Sequence, residues 1–111
     1  MSQTSVLPVV TDATFAAETA PGSGLVAVEI SAEWCGPCKI LGPIVESLAA
    51  EYAPKMRVLQ MDNDANPAMI ARLGVRSIPT ILVFRDGDLV DRIVGAVPKA
   101  TLRERFDRLA R

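Results

Sequence analysis

The sequence predicts an α/β fold of three layers, a central mixed five-stranded sheet flanked by four helices. Three observations carry that prediction. Apolar runs of strand length alternate with segments of helical periodicity along almost the whole chain. Strand, helix and strand between residues 25 and 61 form a βαβ unit, which imposes parallel pairing and a right-handed crossover. Asp86-Gly87-Asp88 between two later strands is a hairpin signal, so an antiparallel pair joins the sheet.

The elements follow in order. Val6–Val10 is a short β-branched run, and Pro8, which cannot donate to a ladder, makes it an edge strand. Thr11 or Asp12 is placed to cap a helix that carries Phe15. Residues 21–24 (PGSG) form a turn-rich connection. Leu25–Ser31 (LVAVEIS) is nearly continuous apolar sequence, the pattern of a strand buried on both faces, interrupted by Glu29. A helix starts near Cys35, with Ile40, Leu41, Ile44, Leu48 and Tyr52 as its apolar stripe and a kink expected at the internal Pro43. Met56–Met61 is the next strand. Asn66 and Pro67 read as a cap and a first helical residue, and Gly74 stops that helix. Thr80–Arg85 and Leu89–Val94 are the hairpin strands, and the last helix presents Leu102, Phe106 and Leu109 on one face.

The 111 residues, half of them apolar, suffice for one core, and no repeat, low-complexity tract or long linker divides them. One domain over residues 1–111 is expected, with residues 1–5 as a flexible N-terminus. A net charge of −1 with interspersed signs excludes a basic nucleic-acid-binding face. No apolar run approaches the ~20 residues of a membrane span. The start MSQTSVLPVV lacks the features of a signal peptide, so a cytoplasmic protein is expected. There is no histidine, which leaves proton chemistry to Asp, Glu, Lys, Cys or Tyr. Asp62 and Asp64 read as turn caps, Lys39 as a solvated lysine beside the cysteines, and RERFDRLAR as a solvated helix face.

Both cysteines lie in AEWCGPCKI, at the end of a buried strand and the start of a helix. The helix N-terminus offers unpaired N–H groups and partial positive charge, which favour thiolate, the nucleophilic form. Pro37 fits the first turn and stiffens it, and Gly36 leaves Cys35 uncrowded. Three apart on a helix, Cys35 and Cys38 face one side and can close and reopen a small disulfide ring. Cys35 is expected at the exposed tip and Cys38 one turn in, less accessible. A zinc site would need further Cys or His, which are absent, so no metal is expected. A metal shared between two chains and an inert buried pair are the remaining alternatives to a redox couple.

The run WCGPCK at 34–39, together with TDATF at 11–15, DNDANP at 62–67, GVRSIPT at 74–80 and FRDGDLVDRIVGA at 84–96, resembles the thioredoxin family over about residues 6–110. The resemblance implies a general protein disulfide reductase. Cys35 would attack a substrate disulfide and Cys38 would resolve the mixed disulfide. No cofactor would be bound. NADPH would act indirectly, through a thioredoxin reductase that restores the dithiol. Disulfide-containing proteins and that reductase would be the partners of a monomer, with no nucleic acid and no membrane. Ile78–Pro79 matches the family's cis peptide beside the cysteines. Trp34, Gly36, Pro37, Ile78, Gly95 and Ala96 match its apolar docking surface, with Trp34 partly exposed. A disulfide oxidase or isomerase, and a non-catalytic thioredoxin-like subunit, are the competing functions.

The chain departs from the family at three places. Glu29 stands where members carry a buried aspartate, Gln60 where many carry its lysine partner, and Ser31 where many carry tryptophan. Burial without a cation should raise the Glu29 pKa and fit it to shuttle a proton to and from Cys38.

Overall fold

The computed structural model describes residues 6–111, so the expectation of a flexible tail at residues 1–5 lies outside the described residues. Among these residues four helices, α1 (Phe15–Glu18), α2 (Gly36–Tyr52), α3 (Pro67–Arg72) and α4 (Lys99–Leu109), accompany four strands, β1 (Leu25–Ser31), β2 (Met56–Asp62), β3 (Thr80–Arg85) and β4 (Asp88–Val94), in the order α1-β1-α2-β2-α3-β3-β4-α4. The strand order is β2-β1-β3-β4, with β1 parallel to β2 and the other neighbours antiparallel.

The expected five-stranded sheet is corrected to four strands among the described residues. The segment 6–10 does lie along the outer edge of β2, but it pairs only through a single bridge, Val9 with Gln60. Two backbone bonds flank it, from Gln60 N–H to Pro8 O and from Val10 N–H to Gln60 O, each 2.9 Å. Pro8 has no N–H with which to extend the ladder.

Alternation along the strands divides the core between the two faces of the sheet. On one face Ala27, Val58, Ile81 and Ile93 meet Leu41, Val45 and Leu48 of α2 and Leu102 and Phe106 of α4. On the other, Val26, Val28, Ile30, Leu59 and Leu82 meet Phe15 and Met69. The register sets Glu29 opposite Gln60 on β2 and Ile81 on β3, on the face covered by α2. The buried stripe of α2 is Cys38, Leu41, Val45, Leu48 and Tyr52. Ile40, expected inside, is 67% exposed, because the 3-4-3-4 spacing that starts at Cys38 turns it outward.

The expected caps are exchanged across the structure. Asp12 does not cap α1; its carboxylate accepts the Ala68 and Met69 N–H groups at the start of α3, at 3.2 and 2.9 Å. Asn66 occupies the cap position of α3 without capping it. Its side chain accepts Asp12 N–H at 2.8 Å and donates to Asp62 O at 2.9 Å. In the hairpin, Asp86 (φ 50°) and Gly87 (φ 94°) both adopt positive φ, the geometry of a two-residue primed turn. The Asp86 carboxylate accepts the Gly22 and Gly24 N–H groups and thereby ties the 21–24 connection to the turn.

Candidate active site

Strand β1 ends at Ser31, and four residues later Cys35 caps α2. Cys35 and Cys38 are disulfide-bonded, with Cα atoms 5.3 Å apart. The Cys35 N–H donates to Ala32 O at 3.1 Å, and the Cys38 N–H donates to Cys35 Sγ at 3.3 Å. The first cysteine therefore receives a helix-terminal N–H that no intrahelical carbonyl uses. When the ring opens, that N–H and the helix terminus stabilise negative charge on Cys35 Sγ. Among the described residues no N–H donates to Cys38 Sγ in return.

Residue exposure does not separate the two cysteines. Cys35 is 4% and Cys38 5% exposed, so the expectation of an exposed Cys35 tip is corrected. Cys35 packs with Ala32, Cys38 and Ile78. The Ile78 carbonyl lies 3.9 Å from Cys35 Sγ. The accessible surface belongs to the rim: Trp34, Gly36, Pro37 and Ala96 are exposed and Ile78 and Gly95 half-buried. A Cβ on Gly36 would meet nothing within 4 Å, so a partner can approach the ring there without obstruction.

Pro79 is buried and its bond to Ile78 is cis. The Gly95 N–H donates to Pro79 O at 2.8 Å, which sets Gly95–Ala96 beside the Ile78–Pro79 loop. Ile78 thus packs against the disulfide, and Gly95 is bonded to the Pro79 that follows it. Pro43 lies on the exposed side of α2, outside that group.

Trp34 is 67% exposed, yet its indole is fixed, because Nε1–H donates to Asp64 Oδ2 at 2.6 Å. Sequence reasoning missed this role of Asp64 and read it as a turn cap. The turn is served by Asp62, whose carboxylate accepts the Ala65 N–H at 2.8 Å. Nothing in the spacing of two residues 30 apart could have paired the indole with that carboxylate.

Glu29 is 4% exposed, and its Oε2 has no hydrogen-bond partner among the described residues. Burial, and secondarily the neighbouring Glu46 carboxylate, push its pKa up from 4.5 to about 7. Gln60, opposite it in register, turns away and donates from Nε2 to Leu7 O at 2.6 Å. The residue in the lysine's place therefore anchors the N-terminal segment. Ser31, at the end of the same strand, is half-buried, and its carbonyl accepts the Asn63 N–H at 2.7 Å. Among the described residues no group of three or more His, Cys, Asp or Glu is placed to hold a metal ion.

The thioredoxin family model matches residues 6–108. The chain is 44% identical over 104 residues to thioredoxin 1 of Synechococcus elongatus, covering 94% of this chain and 97% of that protein. It is 41% identical over 99 residues to thioredoxin 1 of a Nostoc species, covering 89% and 92%. To the thioredoxin of Staphylococcus aureus it is 46% identical over 99 residues, covering 89% and 93%.

Proposed function

The chain belongs to the thioredoxin family of thiol–disulfide oxidoreductases, and from that premise we propose that Cys35 is the attacking and Cys38 the resolving thiol of a disulfide reductase. The observation that carries the assignment is the Cys38 N–H directed at Cys35 Sγ at the start of α2. Reduced Cys35 attacks one sulfur of a substrate disulfide, forms a mixed disulfide and expels the other sulfur as thiolate. Cys38, losing its proton, attacks Cys35 Sγ, closes the ring and releases the second substrate thiol. Glu29 is the group proposed to take the Cys38 proton, supported by its burial and its raised pKa.

Trp34, Gly36, Pro37, Ile78, Gly95 and Ala96 are the proposed docking rim, supported by the chain adjacency of the first three to the cysteines, the packing of Ile78 on them and the bond from Gly95 N–H to Pro79 O. Electrons come from NADPH through a thioredoxin reductase, and the protein works as a one-domain monomer in the cytoplasm. That location fits the proposed chemistry, because a disulfide reductase needs a reducing compartment to keep its pair as a dithiol. No helix is long and apolar enough to cross a membrane among the described residues.

A coupled assay with NADPH, thioredoxin reductase and insulin tests the reading. Continuous NADPH oxidation that needs the insulin disulfide, and stops in Cys35→Ser, is expected. No acceleration of insulin reduction with either the reductase or dithiothreitol as donor rejects it in favour of a non-catalytic subunit.

A further inference from the structure

The arginines of this chain are not distributed evenly between paired and unpaired. Arg57, Arg103, Arg105 and Arg108 each meet a carboxylate, of Glu18, Glu51, Asp91 and Glu104 respectively. Arg85 donates to the Leu109 carbonyl at the end of α4. Arg111 ends the chain, exposed and without an ion pair among the described residues. The guanidinium groups of the remaining three, Arg72, Arg76 and Arg92, meet no carboxylate among the described residues and are likewise exposed.

These three lie together. Arg72 ends α3, and Gly74, at φ +70°, turns the chain so that Arg76 follows. Arg92, from the edge strand β4, donates through Nη2 to Leu73 O at 2.9 Å, which brings a third guanidinium to the same corner. The stretch of chain that carries Arg72 and Arg76 supplies no counter-charge of its own. From Asn66 to Arg85 the chain contains no Asp or Glu. On β4, Asp91 points to Arg105 of α4, and Asp88 stands at the hairpin end of the strand.

The corner borders the redox site. Arg76 is two residues before Ile78, whose carbonyl lies 3.9 Å from Cys35 Sγ. Arg92 is two residues before Val94, which pairs with Thr80 next to Pro79. Two residues of extended chain span about 7 Å. A protein that presents a disulfide to Cys35 across Ile78 therefore carries its neighbouring segment past these arginines.

We infer that Arg72, Arg76 and Arg92 form a recognition patch for an acidic segment flanking the disulfide of the protein substrate. The inference rests on the reading of the chain as a disulfide reductase and adds the class of substrate. Exposed charges of this kind act mainly on encounter and orientation, so the effect belongs in the second-order rate constant and is screened by salt.

The test uses the prereduced protein and two peptides, each closed by one disulfide and differing only in flanking residues, glutamates in one and glutamines in the other. The wild type should react with the glutamate peptide about tenfold faster at low ionic strength, and the preference should collapse at ~0.5 M salt. R72Q/R76Q should erase most of the preference, and R72K/R76K should keep most of it. Arg92 is left in place because it also holds the Leu73 carbonyl. Equal rate constants for the two peptides, or a preference that survives R72Q/R76Q, overturn the patch alone. Failure of the wild type to reduce either peptide overturns the reductase reading and the patch with it.

Discussion

A carboxyl group buried beneath a helix, with one oxygen unpartnered and a second carboxylate nearby, holds its proton more tightly than it does in water. Glu29 is in that position, with a folded pKa of about 7 against 4.5 for the unperturbed group. The folded state then binds the extra proton between those values. Its contribution to stability is fully present below 4.5 and is lost as pH rises through 7, a total of about 3 kcal/mol. Urea unfolding of the oxidised protein between pH 4.5 and pH 8 should show this decline, and Glu29→Gln should flatten it. A slope equal in wild type and variant would place the titration elsewhere. As the proposed acceptor of the Cys38 proton, the same residue is expected to act on rate. Glu29→Gln should slow resolution of the mixed disulfide by about 10²-fold while sparing the first attack, since only the second step deprotonates Cys38. Stopped-flow measurement of the two phases separates these effects. The sequence marked Glu29 through its apolar neighbours on a strand. It did not reveal that Gln60 spends its amide on Leu7 O, because that bond joins residues 53 apart.

Elements in this protein are held by residues drawn from outside them. Helix α3 has only six residues, and isolated helices of that length are unstable in water. Its first-turn N–H groups are satisfied by Asp12, more than fifty residues earlier in the chain. Asp12→Ala leaves those donors without the carboxylate and should cost about 1–2 kcal/mol, read as a lower urea midpoint with an unchanged slope. Asp12→Asn keeps one acceptor and should cost less. The existence of α3 was legible from Asn66–Pro67 and Gly74, which are local signals. The origin of its cap was not, because Asn66 and Asp12 are both good capping residues and only the tertiary fold assigns them. The fifth strand failed for a related reason. Val6–Val10 has strand composition, but composition does not count ladder bonds, and Pro8 limits them to the neighbourhood of Val9.

At the scale of the whole molecule, the site is an assembly of three distant stretches, the Cys35–Cys38 turn, Ile78–Pro79 and Gly95–Ala96, brought to one end of the sheet by the β1–β3–β4 order. The motif supplied the cysteines, and the family resemblance supplied the rest of the rim. Geometry changed the division of labour between the thiols. With both residues equally buried in the closed ring, accessibility does not choose the nucleophile. The choice falls to the N–H donated by Cys38 to Cys35 Sγ, a consequence of Cys35 being the cap of α2 and Cys38 lying within it. A thiolate at Cys35 is stabilised whether or not residue 38 carries sulfur, because the donor is backbone. Cys38→Ser should therefore still attack substrate disulfides and then stop, accumulating one covalent complex per chain that dithiothreitol releases. Cys35→Ser retains a thiol without a donor aimed at it and should form no such complex. Mass spectrometry of each variant after incubation with a disulfide substrate distinguishes the two, and a stable complex on Cys35→Ser in preference to Cys38→Ser would reverse the assignment of roles.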